Sequence, residues 1–401
     1  MRGRGPIPPT TPPPRETNSG PAVIRRSAGE LLSRLECEIA EADKAGRTEL
    51  PEAGAACQNP HMNSRASELA LVERIRRLIP APRGRQLVMG IGDDCAIVRA
   101  PGLREDWLLS TDMLIEGVHF ARETHSAADA GHKALARGLS DIAAMGASPR
   151  FCLVSLVLPE WAGPRWVDGF YRGLARLAKE TGAVVVGGDL ARADRLFCDI
   201  VVIGAAPPGA SMRRDRARTG DAVYVSGMLG GSALGLDTRR GTAWLRHRRP
   251  QPRLELGRYL RARLGVKAAM DLSDGLSLDL HRLTRESRVA AVIDRPLPVF
   301  PGASLDQALH GGEDYELLFT APPRLKMPAF WRGVPLTRIG SVTSGPPGAV
   351  EFFGEPLAAA GYDHFRPLTA RQGAGRHRSE TSIMPGDIHS SMSSGGQPPS
   401  S

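Results

Sequence analysis

The 401-residue sequence predicts a mixed α/β protein made of two successive units. Apolar runs of strand length alternate with amphipathic stretches of helical period from about residue 67 to residue 353. Gly, Asp and Ser punctuate the joints between them. The same mixture starts again after a boundary near 205–220. No internal repeat of the solenoid kind is present.

In chain order, Leu69, Val72, Ile75 and Ile79 share one helical face, which Pro80 ends. Short β-type runs follow at 86–89, 95–99 and 107–111. An Ala-rich helix covers about 127–145 and closes at Gly146. FCLVSLVL (151–158) reads as a buried strand, 165–180 as an amphipathic helix, and 183–187 and 197–205 as strands. In the second half, a strand ends at YVSG (224–227) and a helix spans 253–263. KAAMD (267–271) is a strand feeding a helix at 275–287, and 289–294 and 315–320 are further strands, with short β runs to about 353.

The two ends differ in kind. PIPPTTPPP (6–14) cannot enter a helix or a sheet interior, and the amphipathic stretch near 29–43 is too short to persist alone. The tail is small and polar. We therefore expect a disordered extension over 1–64, a first domain over 65–208, a second over 209–368 and a disordered tail over 369–401. Met62 is the expected true start, because the folded pattern begins just after it.

Composition excludes more than it assigns. Hydrophobic residues make up 41% and charged residues 24%, as in ordinary globular proteins. No apolar run reaches membrane-spanning length, and the first ten residues lack a signal-peptide core, so the expected compartment is the cytoplasm. The five cysteines are dispersed without a CxxC pair, which suits neither a disulfide framework nor zinc. A net charge of +9 raises the question of nucleic acid, but the basic residues are spread along the chain and aromatic content is only 5%, thin for base stacking. A preference for arginine explains the charge; steering of anionic substrates is the milder functional alternative.

Chemistry concentrates where acidic residues sit beside Gly, Ser or Thr, as expected at strand ends. The segments are GIGDDCAIV (90–98), STDMLIEGVHF (110–120), LSDIAAMGASP (139–149), VVVGGDLAR (184–192), DLSDGLSLDL (271–280) and GGEDYELLFT (311–320). Taken singly, an Asp beside Gly or Ser is more often a turn or a helix cap than a ligand. Gathered together, so many carboxylates need cations, and magnesium is the hard, oxygen-seeking ion that bridges carboxylates to phosphates. The adjoining glycines let backbone N–H groups approach phosphate oxygens. No P-loop, complete GxGxxG or protein-kinase signature is present.

With these motifs in this order, and GYDHF at 361–365, the chain resembles the thiamine-monophosphate kinases over about residues 67–366. That family lies in the superfamily of aminoimidazole ribonucleotide synthetase and selenophosphate synthetase. The resemblance implies a two-domain α/β (mixed α+β) architecture of the aminoimidazole ribonucleotide synthetase type, whose N-terminal sheet contributes to a homodimer with the nucleotide near its interface. It implies transfer of the γ-phosphate of ATP to the phosphate of thiamine monophosphate, with several Mg2+ ions and no covalent nucleophile or general base. By position, Asp93, Asp94, Ser110, Thr111, Asp112, Asp141, Asp189, Asp271 and Asp274 are the implied metal residues. Gly188, Asp189, Arg214 and Ser273 are the implied ATP contacts, and His119, Glu313 and Tyr362 the implied contacts to the acceptor. Without the resemblance, His119 would pass as a packed strand-end histidine, Tyr362 as a core aromatic and Arg214 as a solvated loop charge.

Two rival readings are weaker. A sister enzyme of the selenophosphate or hydrogenase-maturation type would show a reactive cysteine in a glycine-rich start or at the C-terminus, and no cysteine follows Cys198. A non-catalytic nucleotide-binding module would have lost metal aspartates, and none is lost.

Overall fold

The computed structural model describes residues 67–78 and 86–365. Ile79, Pro80, Met62, the proline-rich start, the 29–43 stretch and the tail from 369 lie outside the described residues. Among the described residues no helix is long and apolar enough to cross a membrane.

Helix α1 (Glu68–Leu78) leads into strands β1 (Leu87–Met89), β2 (Ala96–Val98) and β3 (Asp106–Ile115). β4 (Ser148–Leu158), β5 (Val184–Arg192) and β6 (Phe197–Ala206) complete a sheet of order β1-β2-β3-β6-β4-β5. Only β4 and β5 run parallel in it. Between these strands lie α2 (Ala127–Ala144) and α3 (Pro164–Thr181). A capping box joins Ser126 and Asp129 at the start of α2, and Gly146, with φ of +65°, follows its end. α2 lies on β3 and β6 and is covered in turn by α3. The two helices meet so closely that a Cβ on Gly173 would stand 2.0 Å from the Ala128 carbonyl oxygen.

Among the described residues, helices cover only one face of this sheet. On β4, Cys152, Val154 and Leu156 are buried, whereas Phe151 and Leu153 are exposed. The expectation of a fully buried strand is thus corrected to a half-buried one. β5, at the sheet edge, is exposed along its whole length.

The second sheet has the order β14-β13-β9-β12-β7-β10-β8, with β11 paired to β12. Its strands are β7 (Ala222–Ser226), β8 (Ala268–Asp271), β9 (Ala290–Ile293), β10 (Leu317–Ala321), β11 (Phe330–Trp331), β12 (Val334–Thr343), β13 (Val350–Phe352) and β14 (Glu355–Pro356). Helices α4 (Gly231–Thr238), α5 (Gly241–Arg248), α6 (Leu254–Ala262), α7 (Leu276–Glu286) and α8 (Leu305–His310) connect them. The short helices α4, α5 and α8 were not visible in the sequence pattern. α4 and α5 begin at glycines and carry no clear apolar stripe, so their helicity comes from tertiary contacts.

The strands of the two sheets divide between Ala206 and Ala222. The packing does not divide there. Ile142 and Met145 at the end of α2 belong to one buried cluster with Leu254, Leu256 and Leu260 of α6 and Leu317 and Phe319 of β10. α1, assigned by sequence to the first domain, is instead tied to α7 by Arg76–Glu286 at 2.9 Å, by Arg285–Glu73 and by Arg282–Glu68.

Candidate active site

A cavity of about 570 Å³ opens between the first sheet, α2, α7 and the loop before β10. One end is acidic. Asp94, Asp141 and Asp271 each place a carboxylate oxygen within 4.8 Å of the others. They come from three separate parts of the chain: the β1–β2 loop, the last turn of α2 and the end of β8. Arg214 donates to one oxygen of Asp94, while the other, Oδ2, is buried without a partner. Ser110 donates to Asp141, and Ser140 Oγ donates to Asp271 at 2.7 Å. Asp93 accepts the N–H groups of Asp94 and Arg214 at 3.0 and 3.1 Å.

Burial and mutual repulsion raise these acids. Burial, then the neighbouring Asp94, pushes Asp93 and Asp271 up to about 7. Asp141 is raised well above the carboxylate range, by burial first and then by Asp271, Asp94 and Asp112. A buried, partly unpartnered acidic cluster of this kind fits a hard divalent cation, whose charge answers the repulsion and whose coordination takes up the orphan oxygen.

The other end is built around Glu313. Its backbone has φ of +65°, and Tyr315 has φ of +51°, so the loop is held in a sparsely populated conformation. The N–H of Glu313 donates to the Ser273 carbonyl at 2.7 Å and that of Tyr315 to the Leu272 carbonyl at 2.9 Å, which clamps the loop beside the end of β8. Lys133, wholly buried, donates to Glu313 Oε2 at 2.9 Å and to the His119 carbonyl at 2.8 Å. Burial would raise the Glu313 carboxyl, but the charged Lys133 and Arg137 hold it well below the usual range. His119 accepts the Ile115 N–H on Nδ1 at 3.0 Å, and burial, then Arg137, lowers it to about 2, so its ring is neutral. Its ring meets that of His364 edge-on at 5.3 Å, and His364 meets Tyr362 at 4.8 Å. The Tyr362 N–H donates to the Asp274 carbonyl at 2.9 Å, which fixes the GYDHF segment at the cavity wall.

Arg137 joins the two ends. It donates to Asp112 Oδ1 at 2.6 Å and to Glu313 Oε1 at 3.3 Å. Neither Arg137 nor Lys133 was singled out from the sequence. The signal was present, because Lys133, Arg137 and Asp141 follow one another at spacings of four on α2 and so share a face.

Asp93, Asp94, Ser110, Asp112, Asp141, Arg214, Asp271, Ser273 and Asp274, with His119, Glu313 and Tyr362, all line this cavity. Asp274 there takes a salt bridge from Arg282. Others depart from expectation. Thr111 also borders the cavity, but its hydroxyl donates to Asp199 at 2.5 Å, away from the carboxylate cluster. The alternation of side chains along β3 explains this, since Ser110 and Asp112 point to α2 and the residue between them cannot. Gly188 and Asp189 do not reach the cavity of one chain. They lie on β5, which β6 and β4 separate from β3. A Cβ on Gly188 would come 1.9 Å from the Val154 carbonyl oxygen, so strand packing alone demands a glycine there. The acidic motifs also sit less uniformly than expected: STD lies within β3, LSD in α2 and GGD within β5, not at strand ends. In GGEDYE only Glu313 lines the cavity through its carboxylate. Asp314 takes the N–H groups of Gly230 and Ser232 at the start of α4, and Glu316 is clamped by Arg246, Arg253 and Ser226.

Residues 92–206, which hold most of the first sheet and its part of the acidic cavity, match the family described as AIR synthase related protein, N-terminal domain. A thiamine-monophosphate kinase of Rhodopirellula baltica is 38% identical over 280 residues, 64% of this chain and 84% of the relative. That of Escherichia coli K12 is 37% identical over 304 residues, 69% of this chain and 92% of the relative. The chain belongs to the thiamine-monophosphate kinase family. Among solved structures, AaThiL complexed with AMPPCP and TMP is 31% identical with a TM-score of 0.66, covering 75% of this chain and 97% of its own. The thiamine-monophosphate kinase of Stenotrophomonas maltophilia K279a is 36% identical with a TM-score of 0.57, covering 72% and 96%.

Proposed function

We propose that this chain phosphorylates thiamine monophosphate to thiamine diphosphate with ATP as donor. The observation that carries this is the polarity of the cavity, with an acidic end built for cations and, joined to it by Arg137, an end where one carboxylate is kept ionised among aromatic rings. The acidic end suits the polyphosphate of ATP, with Arg214 and Ser273 beside it. The thiazolium of the acceptor is a fixed cation and its aminopyrimidine is flat, so Glu313, His119 and Tyr362 suit it. The names of the relatives, and a neighbour solved with AMPPCP and TMP, support the same pair of substrates.

Asp94, Asp141 and Asp271 would hold magnesium, with Asp93, Ser110, Asp112 and Asp274 around them. When bound, magnesium offsets the charge of the polyphosphate and orients it. The protein's own part is positioning and electrostatics. Arg137, fixed between Asp112 and Glu313, presents its guanidinium where the two anionic substrates meet. A terminal oxygen of thiamine monophosphate attacks the γ-phosphorus in line; the bond from that phosphorus to the bridging oxygen breaks, and ADP leaves. The attacking phosphate is largely ionised near neutral pH, so no side chain need remove a proton.

The exposed apolar face of the first sheet, with Met113, Phe151, Leu153 and Val184, suits a homodimer. Such a partner would also give Gly188 and Asp189, out of reach within one chain, a route to a nucleotide at the interface. In this scheme 65–208 supplies the dimer sheet and most metal residues, and 209–368 supplies Glu313 and Tyr362. The reaction belongs in the cytoplasm, and neither nucleic acid nor membrane is a partner.

The deciding assay gives purified protein ATP and magnesium with either thiamine monophosphate or free thiamine. Diphosphate from the monophosphate alone is the expected result; phosphorylation of thiamine alone would overturn the assignment.

A further inference from the structure

A second cavity, of about 330 Å³, lies beside β1 and β2 and is lined by none of the residues of the first. Four cationic side chains border it, Arg213, Arg216, Arg218 and Lys267, against a single carboxylate, Asp106. That carboxylate is already answered, by Arg99 at 2.5 and 2.9 Å and by the Gly209 N–H at 2.7 Å. Arg213 and Arg216 share Asp215, whereas the side chains of Arg218 and Lys267 have no ion pair among the described residues.

Two polar groups here are buried and unsatisfied. Ser211 is only 7% exposed and its hydroxyl has no partner, and Arg213 Nε is a buried donor without an acceptor. A hydroxyl and a guanidinium N–H left open beside the charges of Arg218 and Lys267 are groups that receive a tetrahedral oxyanion. The volume is at the small end for a ligand pocket, which suits a compact anion.

We propose that this cavity is a second binding site, for a small phosphorylated anion, separate from the catalytic cavity. Its ligand is recognised by Ser211, Arg213, Arg218 and Lys267. The anion is either inorganic, such as pyrophosphate, or the phosphate tail of a nucleotide. The site is one residue removed from the catalytic cavity: Arg213 borders it, and the adjacent Arg214 holds Asp94.

The test is calorimetric titration of pyrophosphate into the full-length protein in EDTA. Without a divalent cation the catalytic carboxylates offer a phosphate nothing to bind, so the titration reads the basic cavity and does not depend on the kinase assignment. One pyrophosphate per chain is expected. Lys267→Ala and Arg218→Ala, at exposed positions, should each weaken binding about fivefold or more, and Ser211→Ala should weaken it too. Asp141→Asn should leave it unchanged. Displacement of pyrophosphate by ADP from the same site would identify the nucleotide tail as the source, and failure of ADP to displace it the inorganic anion. No binding in EDTA, or binding untouched by the Lys267, Arg218 and Ser211 substitutions, would overturn the proposal.

Discussion

At the scale of single residues, the site works by holding charges where burial disfavours them. Glu313 stays ionised because Lys133 and Arg137 donate to it, and Asp112 shares Arg137. Asp112→Ala should lower turnover at least about a hundredfold while the circular dichroism spectrum stays native, since Arg137 keeps Glu313 as partner. Turnover near wild type would count against a role for Asp112 at the metals. The raised acids give a pH signature. Asp93 and Asp271, pushed up to about 7 from an ordinary 3.8, bind a proton more firmly folded than unfolded. Their contribution is therefore full below the ordinary value and is lost as pH rises through about 7. Glu313 is shifted the other way, and its contribution falls away only below its ordinary 4.5. In EDTA the melting temperature should thus drop between about pH 5 and pH 8, and magnesium should raise it more at the higher pH. An equal gain at both would mean that the cation does not bind these acids. The acidic segments stood out in the sequence as candidates, but their roles came from the family resemblance, and STD, LSD and GGD lie within elements rather than in turns. Thr111 and Arg137 show the limit: which face of β3 each residue takes, and what stands one helical turn before Asp141, depend on what packs against them.

At the scale of elements, α2 is the platform. It carries Lys133, Arg137 and Asp141 on one face and rests its other side on α3 through backbone contacts at Gly131 and Gly173. Gly173→Ala should cost about 2 kcal/mol or more in urea denaturation, because its methyl group would meet the Ala128 carbonyl. A loss below about 0.5 kcal/mol would show that α3 can slide, and that the register of α2 is not set there. The helix itself was readable from its period, its capping box and Gly146. α4 and α5 were not, since short helices with glycine starts and mixed faces have no signal of their own until Asp314 and Glu316 hold them, and α8, despite its capping box at Ser304 and Gln307, is only six residues long. The half-buried β4 was missed for a related reason. A run of apolar residues reads alike whether both faces are covered by helices or one awaits a second molecule.

At the scale of the whole molecule, that uncovered face is an apolar surface without a partner in one chain. Met113 is 51% exposed on β3, and Phe151 on β4 and its neighbour Val184 on β5 are 37% and 53% exposed. On the proposed dimer, Val184→Asp should leave a monomer in light scattering and reduce ATP-dependent activity in parallel, because Asp189 on the same face would lose its access to a nucleotide. A monomeric variant with full activity would place Asp189 outside the reaction. The alternation of strands and helices made a mixed α/β chain with two sheets legible. The interleaved core was not legible, since hydrophobic patterning says which side chains are buried and not which half of the chain they meet. That shared cluster, in which Ile142 and Met145 lie with Leu256 and Phe319, has a thermodynamic consequence. The two lobes are distinct in topology but are not separate cooperative units. Heating should give one calorimetric transition whose van't Hoff and calorimetric enthalpies agree, and a chain cut near residue 210 should yield fragments that fold only when recombined.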